Sequence, residues 1–271
     1  MQASPSEFDT ILYAVEDGVA TITLNRPAQK NALDMVMREE LGDVVSAIRR
    51  DRGVRVVILG GAGGAFCAGG DIGTMHSGAS AEEARERMVK LHLTIEELIT
   101  LDRPVIAKVD GPAYGAGFGL ALTADLILAS PRARFCLSFL RLGAIPDCAT
   151  FYTLPRMVGL QRAKELAFST REFGAGEAKD MGIVSEIQPQ EQIDEHARRI
   201  ALSLAELPMA ALSITKRGFN ASLNSDLGTM LELEAAGQGV VRSSEYHRDA
   251  ARRFVSKEAQ RFQWPKSPGK P

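Results

Sequence analysis

Apolar runs alternate with amphipathic segments through the first two thirds of the chain. Residues 18–24 alternate apolar and polar side chains, which predicts a half-buried strand. Residues 34–50 carry apolar side chains at helical spacing and end in two arginines, which predicts a helix. Strands are also predicted at 54–59 and 105–109, with a helix at 81–100 between them. Alternating strands and helices predict parallel strands with crossover helices, so we expect an α/β core.

The last third of the chain is helical by its pattern. After residue 189 the apolar residues recur at helical spacing, which predicts a C-terminal helical region over 190–262. We therefore expect an α/β core over 1–189 and a flexible tail over 263–271 in which Trp264 docks. Helices are predicted at 117–124, 148–157, 192–205, 209–220, 227–241 and 245–257.

Composition and charge exclude several classes of function. The chain has 271 residues, 45% of them hydrophobic, and a formal net charge of −2 with no block of like charges. A nucleic-acid surface needs clustered basic residues, and a membrane span needs about 18 consecutive apolar residues, so neither is expected. The first ten residues lack the apolar segment of a secretory signal. Cys67, Cys136 and Cys148 lack metal-ligand spacing, so we expect reduced cytoplasmic thiols and no metal site.

Two turns of small residues carry the chemical signal. Residues 66–72 (FCAGGDI) and 111–117 (GPAYGAG) each follow an apolar run that predicts a strand. Glycine and alanine leave the backbone N–H groups accessible to a ligand. Two such turns on neighbouring strands can aim two N–H groups at one carbonyl oxygen, which is the arrangement of an oxyanion hole. The alternative is that both turns serve close packing alone.

The order of the motifs resembles the enoyl-CoA hydratase/isomerase (crotonase) superfamily. Residues 25–33, 68–71 and 110–122 carry the resemblance, which extends over about residues 10–260. It implies a crotonase-type spiral of ββα units with a C-terminal helical region. It also implies an acyl-CoA substrate, with no tightly bound cofactor, and homotrimers that often pair into a dimer of trimers. Further matching segments are 142–146, 154–159 and 177–184.

The resemblance also implies a set of site residues. Ala68 and Ala116 are expected to donate their backbone N–H groups to the thioester oxygen. Asp71 has the alternative role of capping the turn that follows it. The residues expected to contact substrate or coenzyme A are Ala28, Lys30, Ala32, Leu33, Ala68, Gly69, Gly70, Asp71, Ile72, Gly115, Phe139, Phe254 and Lys257.

This chain departs from the family pattern at two positions. Many hydratases of the family activate water with two glutamates, which fall here at Gly119 and Phe139. Neither residue can move a proton, so hydration by that route is not expected. Asp147 is the remaining candidate acid or base, and apolar neighbours would raise its pKa. Its alternative role is that of an N-cap, since aspartate is favoured before a helix.

Residues 147–154 resemble the corner of 4-chlorobenzoyl-CoA dehalogenase, where an aspartate is the nucleophile and His92 falls at the position of a histidine base. His92 could instead be a partly buried structural residue, and His76, His196 and His247 are expected on the surface. Four functions follow from these residues. The favoured one is double-bond isomerisation by Asp147, and the alternatives are nucleophilic attack by Asp147, a slow hydratase, and a non-catalytic CoA-binding scaffold.

Overall fold

The computed structural model describes residues 8–75 and 78–265. Within these ranges nine strands form a sheet of six and a sheet of three. In chain order the strands are β1 (Ile11–Glu16), β2 (Val19–Leu24), β3 (Val56–Gly61), β4 (Val105–Val109), β5 (Pro112–Tyr114), β6 (Leu126–Ala129), β7 (Arg134–Cys136), β8 (Phe173–Gly174) and β9 (Glu186–Ile187).

Eleven α-helices lie within the same ranges, and none of them is long and apolar enough to cross a membrane. Two short 3-10 helices occupy Pro27–Gln29 and Ser138–Leu142. The α-helices are α1 (Met35–Arg50), α2 (Ile72–Met75), α3 (Ala81–Thr100), α4 (Ala116–Ala121), α5 (Thr150–Val158), α6 (Leu160–Ser169), α7 (Ala175–Asp180), α8 (Ile193–Ala205), α9 (Met209–Ser222), α10 (Leu227–Arg242) and α11 (Glu245–Val255).

The strand order is that of a spiral. The larger sheet runs β1-β2-β3-β4-β6-β9, and the smaller sheet runs β5-β7-β8. β4 and β5 are consecutive in the chain but lie in different sheets, and β6 and β7 repeat that step. Each ββα turn therefore adds one strand to each sheet. In the larger sheet the neighbouring strands are parallel except β1, which is antiparallel to β2. In the smaller sheet β5 and β7 are parallel, and β7 and β8 are antiparallel. The predicted α/β spiral is confirmed.

Helices α1 and α3 pack together beside the first strands of the larger sheet. The Asp34 carboxylate accepts a hydrogen bond from the Met37 N–H and caps α1. The side chains of Ser80 and Glu83 form a capping box that begins α3 at the predicted residue. Each N-cap side chain accepts from one of the unpaired N–H groups of the first turn, so local sequence favours both helix starts.

Helix α8 packs against the sheet as well. Ile193, Ala197 and Ile200 lie in one buried cluster with Val56 and Ile106 of the strands. Helix α8, the first helix of the predicted C-terminal region, therefore contacts the sheet, and the division of the chain at residue 189 stays a prediction.

His196 is fully buried, so its predicted surface location is wrong. Its Nε2 lies 2.9 Å from the Glu186 carboxylate, and the Arg199 guanidinium donates to Nδ1 at 2.9 Å. The polar neighbours in the sequence point away from the face of α8 that packs on the sheet, and the imidazole lies on that face. His247 is exposed as predicted, and His76 lies outside the described residues.

The start of the predicted tail is docked on the fold. The Ser203 hydroxyl donates to the Gln263 carbonyl oxygen at 2.6 Å. Trp264 lines a surface groove together with Leu204 and Leu223, and remains 45% exposed. Residues 266–271 lie outside the described part of the chain.

Candidate active site

The two predicted turns lie directly against each other. The N–H groups of Phe66 and Cys67 donate to the Pro112 carbonyl oxygen at 3.0 Å, and the Tyr114 N–H donates to the Cys67 carbonyl oxygen at 2.9 Å. An ideal Cβ on Gly117 would collide with the Cys67 backbone, so only glycine fits there. Because β3 and β4 are parallel neighbours, their carboxyl ends bring both turns to the same edge of the sheet.

The backbone N–H of Ala68 is engaged inside the protein, which corrects its predicted role as an oxyanion donor. It donates to the Lys30 carbonyl oxygen at 2.9 Å. Gly70 pairs with Leu33 in a parallel bridge. The bridge is made by the neighbours of Gly70: the Leu33 N–H donates to the Gly69 carbonyl oxygen, and the Asp71 N–H donates to the Leu33 carbonyl oxygen. The Gly70 N–H therefore points away from that pairing. Among the described residues, the N–H groups of Gly70 and Ala116 have no hydrogen-bond acceptor.

Glycine conformations hold these two N–H groups close to each other. Gly69 has φ of +105°, and a Cβ on it would lie 2.9 Å from the Tyr114 carbonyl oxygen and 3.7 Å from the Ala116 nitrogen. Gly115 has φ of +50° and turns the chain into α4, so that Ala116 is the first residue of the helix. The N–H of a first helical residue has no partner within the helix. The two turns together thus form a backbone site for an oxyanion.

A cavity of about 800 Å³ opens beside this backbone pair. Gly70 and Ala116 line one part of it, and Asp147 lines another. Phe139 and Ile72, both predicted to contact the substrate, line it as well. The structure therefore brings the backbone donors and the predicted acid or base into one pocket.

The turn that carries Asp147 has an unusual backbone. Cys148 and Ala149 follow it with φ of 48° and 58°, although neither residue is glycine. Left-handed backbone costs free energy in ordinary L-residues and is concentrated at functional sites. Ala149 is the N-cap residue of α5, and no side chain caps this helix. The alternative role of Asp147 as an N-cap is therefore wrong.

Burial raises the pKa of the Asp147 carboxyl above its ordinary value of 3.8. A hydrogen bond with the Cys148 thiol and the charges of Arg38 and His92 act in the opposite direction. The Asp147 Oδ1 atom is buried without a hydrogen-bond partner in the described part of the chain. A buried carboxyl group with a raised pKa accepts a proton more readily than an exposed one, which suits it to proton transfer.

The surroundings of Gly119 exclude a glutamate at the first of the two family positions. An ideal Cβ on Gly119 would lie 2.8 Å from the Cys148 Cβ, 2.8 Å from the Thr150 Oγ1 and 3.1 Å from the Asp147 carbonyl oxygen. These contacts leave no room for a glutamate side chain. The turn that begins at Asp147 occupies the space that a side chain at 119 would need.

His92 is exposed on α3 and lines the same cavity as Asp147. Its alternative interpretation as a partly buried structural residue is therefore wrong. His92 also lines a second cavity, of about 870 Å³, which lies between α3 and α9. The side chain can reach a ligand from either cavity.

Some of the residues predicted to contact coenzyme A line the cavity, and the others lie outside it. Lys30 is exposed with left-handed backbone, and Leu33 is buried in its pairing with Gly70. Asp71 accepts a hydrogen bond from Arg26 at 2.9 Å, which gives it a structural role. Gly69 and Gly115 line the cavity, and Ala28 and Ala32 lie on the neighbouring loop. Phe254 is 79% exposed on α11, and neither it nor Lys257 lines this cavity.

Asn31 is a structural residue of the site that the sequence did not single out. It is fully buried with φ of 57°. Its side-chain NH₂ donates to the carbonyl oxygens of Ala62 and Ala65 at 2.9 and 2.8 Å, and its Oδ1 accepts from the Arg26 N–H at 2.9 Å. Asn31 thereby ties its loop to the start of the first turn. Among the described residues, no three acidic, histidine or cysteine side chains converge as metal ligands would.

The two-sheet spiral and the paired backbone N–H groups beside a buried carboxyl define a crotonase-fold enzyme. The sequence profile of the enoyl-CoA hydratase/isomerase family matches residues 14–266. The chain belongs to this family, whose substrates are CoA thioesters, and the resemblance found in the sequence is confirmed.

Individual relatives agree with this assignment. A probable enoyl-CoA hydratase from Rhodobacter capsulatus is 38% identical over 94% of this chain and 98% of its own length. The 1,2-epoxyphenylacetyl-CoA isomerase of Escherichia coli is 33% identical over 93% of this chain and 97% of its own length. A crystal structure of an enoyl-CoA hydratase/isomerase from Cupriavidus metallidurans superposes with a TM-score of 0.90 at 43% identity, covering 96% of this chain and 99% of that chain.

Proposed function

We propose that the protein shifts a carbon–carbon double bond in an acyl-CoA, with Asp147 as the acid and base. The observation that carries the proposal is the composition of the cavity: among its described lining residues, Asp147 is the one carboxylic acid. The N–H groups of Gly70 and Ala116 would hold the thioester oxygen. The 1,2-epoxyphenylacetyl-CoA isomerase among the relatives supports isomerisation of an acyl-CoA as the general type of reaction.

The two parts of the site would act in sequence. Hydrogen bonds from the two N–H groups stabilise negative charge on the thioester oxygen, so the adjacent carbon loses a proton more readily. The ionised Asp147 takes that proton and returns it to a different carbon of the resulting dienolate. The raised pKa of Asp147 suits this double role, because the group must accept and release a proton within one turnover.

Coenzyme A would lie along the loop that precedes α1. Ala28, Lys30 and Ala32 belong to this loop, and the Lys30 carbonyl oxygen accepts from the Ala68 N–H. The loop is thus tied to the turn that carries Gly70. In this arrangement coenzyme A arrives as part of the substrate, and the proposed reaction uses no further cofactor.

A comparison of the wild type with Asp147→Asn tests the reaction. Both proteins are incubated with 3-enoyl-CoA, 2-enoyl-CoA and 4-halobenzoyl-CoA. Ultraviolet absorbance distinguishes the conjugated 2-enoyl thioester from its 3-enoyl isomer, and mass spectrometry detects addition of water, loss of halide and covalent adducts. We expect the wild type to convert 3-enoyl-CoA into 2-enoyl-CoA and the variant to lose this activity. Asp180→Asn, at an exposed position of α7, is the matched control and retains full activity.

The other outcomes identify the alternatives. Halide release with a covalent adduct on Asp147 would assign it as a nucleophile, with His92 activating water for the second step. Addition of water to 2-enoyl-CoA without isomerisation would identify a slow hydratase. Binding of all three thioesters without turnover would leave a scaffold.

We also propose that the chain assembles as a homotrimer or a dimer of trimers in the cytoplasm. Large apolar side chains are exposed on the C-terminal helices, including Leu227 at 73% and Phe254 at 79%. Such exposure on one region is typical of an association surface. The three cysteines are unpaired, which fits a reducing compartment. Light scattering coupled to size-exclusion chromatography gives the subunit number, and a monomer would contradict the proposal.

A further inference from the structure

Two buried side-chain oxygens in the cavity lack hydrogen-bond partners in the described part of the chain. They are the Oγ1 of Thr150 and the Oδ1 of Asp147. Thr150 is only 3% exposed, and both residues line the cavity beside the backbone N–H pair. Buried polar atoms in native proteins are nearly always hydrogen-bonded, so each exception calls for a ligand or another explanation.

The unpartnered hydroxyl is not a general property of this helix. Thr153 lies on the same helix, is 7% exposed, and its hydroxyl donates to the Ala149 carbonyl oxygen at 3.2 Å. The Thr150 hydroxyl makes no such bond to the backbone. Its hydrogen-bonding capacity is therefore available for a molecule in the cavity.

The backbone fixes both oxygens on one short turn. The Thr150 N–H donates to the Asp147 carbonyl oxygen at 3.0 Å, and the two residues between them have left-handed backbone. Gly119 leaves the space that Thr150 occupies, because a Cβ there would lie 2.8 Å from Oγ1. The left-handed backbone at Cys148 and Ala149, together with the absence of a side chain at Gly119, thus places Thr150 and Asp147 in the wall of one cavity.

We propose that Thr150 Oγ1 and Asp147 Oδ1 bind an oxygen atom of the acyl group, and that Thr150 thereby selects oxygen-bearing acyl-CoA substrates. The inference rests on the proposed acyl-CoA site. A hydroxyl group on the acyl chain can donate to the Asp147 carboxylate and accept from the Thr150 hydroxyl, which gives both protein oxygens a partner. A plain hydrocarbon chain covers them and leaves both unsatisfied. Sites built to hydrogen-bond a substrate oxygen discriminate strongly against analogues that lack it.

Equilibrium binding of saturated thioesters tests the selection without any turnover. Calorimetry compares butanoyl-CoA with 2-, 3- and 4-hydroxybutanoyl-CoA, which differ only in the presence and position of one oxygen. We expect at least one hydroxy isomer to bind the wild type about tenfold more tightly than butanoyl-CoA. Equal dissociation constants for all four thioesters would overturn the inference, including the case in which a bound water already satisfies both oxygens.

Substitutions at Thr150 assign the preference to its hydroxyl. Thr150→Val keeps the shape of the side chain and removes the hydroxyl, so we expect the preference to vanish. Thr150→Ser restores the hydroxyl and is expected to restore the preference. Thr153→Val is the matched control and keeps it, since its hydroxyl bonds within the helix. A preference that survives in Thr150→Val contradicts the inference, and Thr150→Ala gives the same test if the valine variant does not fold.

The outcomes separate this inference from the proposed reaction. A protein that binds none of the four thioesters lacks the proposed acyl-CoA site altogether. Equal binding combined with isomerisation of 3-enoyl-CoA removes the inference and leaves the proposed function. A Thr150-dependent preference without isomerisation retains the inference and removes the proposed reaction.

Discussion

Replacement of Gly119 by alanine tests whether the turn that carries Asp147 controls catalysis. An added Cβ would lie 2.8 Å from the Cys148 Cβ and 2.8 Å from the Thr150 Oγ1. Carbon atoms in van der Waals contact are about 3.5–4.0 Å apart, so one of these groups must move by roughly 1 Å. The added Cβ would also lie 3.1 Å from the Asp147 carbonyl oxygen, so it has no free space on that side either. The turn is therefore the part that shifts.

The expected effect on the rate is larger than the effect on stability. Overpacking of a buried site costs about 1–3 kcal/mol, so we expect a folded protein with a lowered Tm. Misplacement of a catalytic group by about 1 Å costs on the order of 100-fold in rate. Conversion of 3-enoyl-CoA to 2-enoyl-CoA, followed over a range of substrate concentrations, gives kcat and KM. We expect kcat to fall on the order of 100-fold while the substrate still binds.

Gly176→Ala is the control for this substitution. Gly176 is exposed on α7, and a Cβ there meets nothing within 4 Å. Alanine gains about 1 kcal/mol of helix propensity there, so Tm should rise slightly and kcat should stay the same. A Gly119→Ala protein with kcat within about threefold of the wild type would refute the argument, because Asp147 would then tolerate a displaced turn.

Three further predictions concern the same site and its support. Ala116→Pro removes one N–H at the first position of a helix, where proline is accepted, so we expect kcat to fall about 100-fold or more. An unchanged kcat would mean that this N–H does not contact the thioester. Asn31→Ala leaves the carbonyl oxygens of Ala62 and Ala65 without donors, so the free energy of unfolding in denaturant should fall by about 2–5 kcal/mol, and an unchanged denaturation midpoint would contradict this. Because the pKa of Asp147 is raised above 3.8 in the folded state, the wild type should lose stability relative to Asp147→Asn as pH rises from about 4 through that pKa. Over the same interval kcat/KM of the wild type should rise, since the base must be ionised, and parallel stability profiles of the two proteins would show that burial does not shift this group.

The long elements of the fold could be predicted because their apolar periodicity is strong. The helix over 81–100 and the strand over 105–109 match α3 and β4 at both ends. β5, β7 and β8 have only two or three residues, which is too short for a period to show. The position of α8 on the sheet depends on contacts distant in sequence, so its helical pattern alone assigned it to the C-terminal region.

The sequence predicted which segments form the site, but not which backbone groups in those segments are free to bind a ligand. The two turns and Asp147 follow from short segments of sequence, and the structure places them in one cavity. The role of Ala68 could not be read in this way, because its N–H bonds to Lys30 in a loop far away in the chain. The left-handed backbone at Cys148 and Ala149 is equally invisible, since neither residue type favours it.

Asp147 is the single carboxylic acid among the described residues that line the cavity, and this restricts the reactions that we expect the site to perform well. Hydration with two carboxyl groups divides the work, as one group removes a proton from water while the other protonates carbon. With Gly119 and Phe139 at those positions, Asp147 is the one carboxyl group among the described lining residues, so in the proposed reaction it performs both proton transfers. In an isomerisation the proton taken from one carbon goes back to another, so the carboxyl returns to its starting state without a second group. The loss of both glutamates and the presence of one buried aspartate are therefore two parts of the same argument for isomerisation.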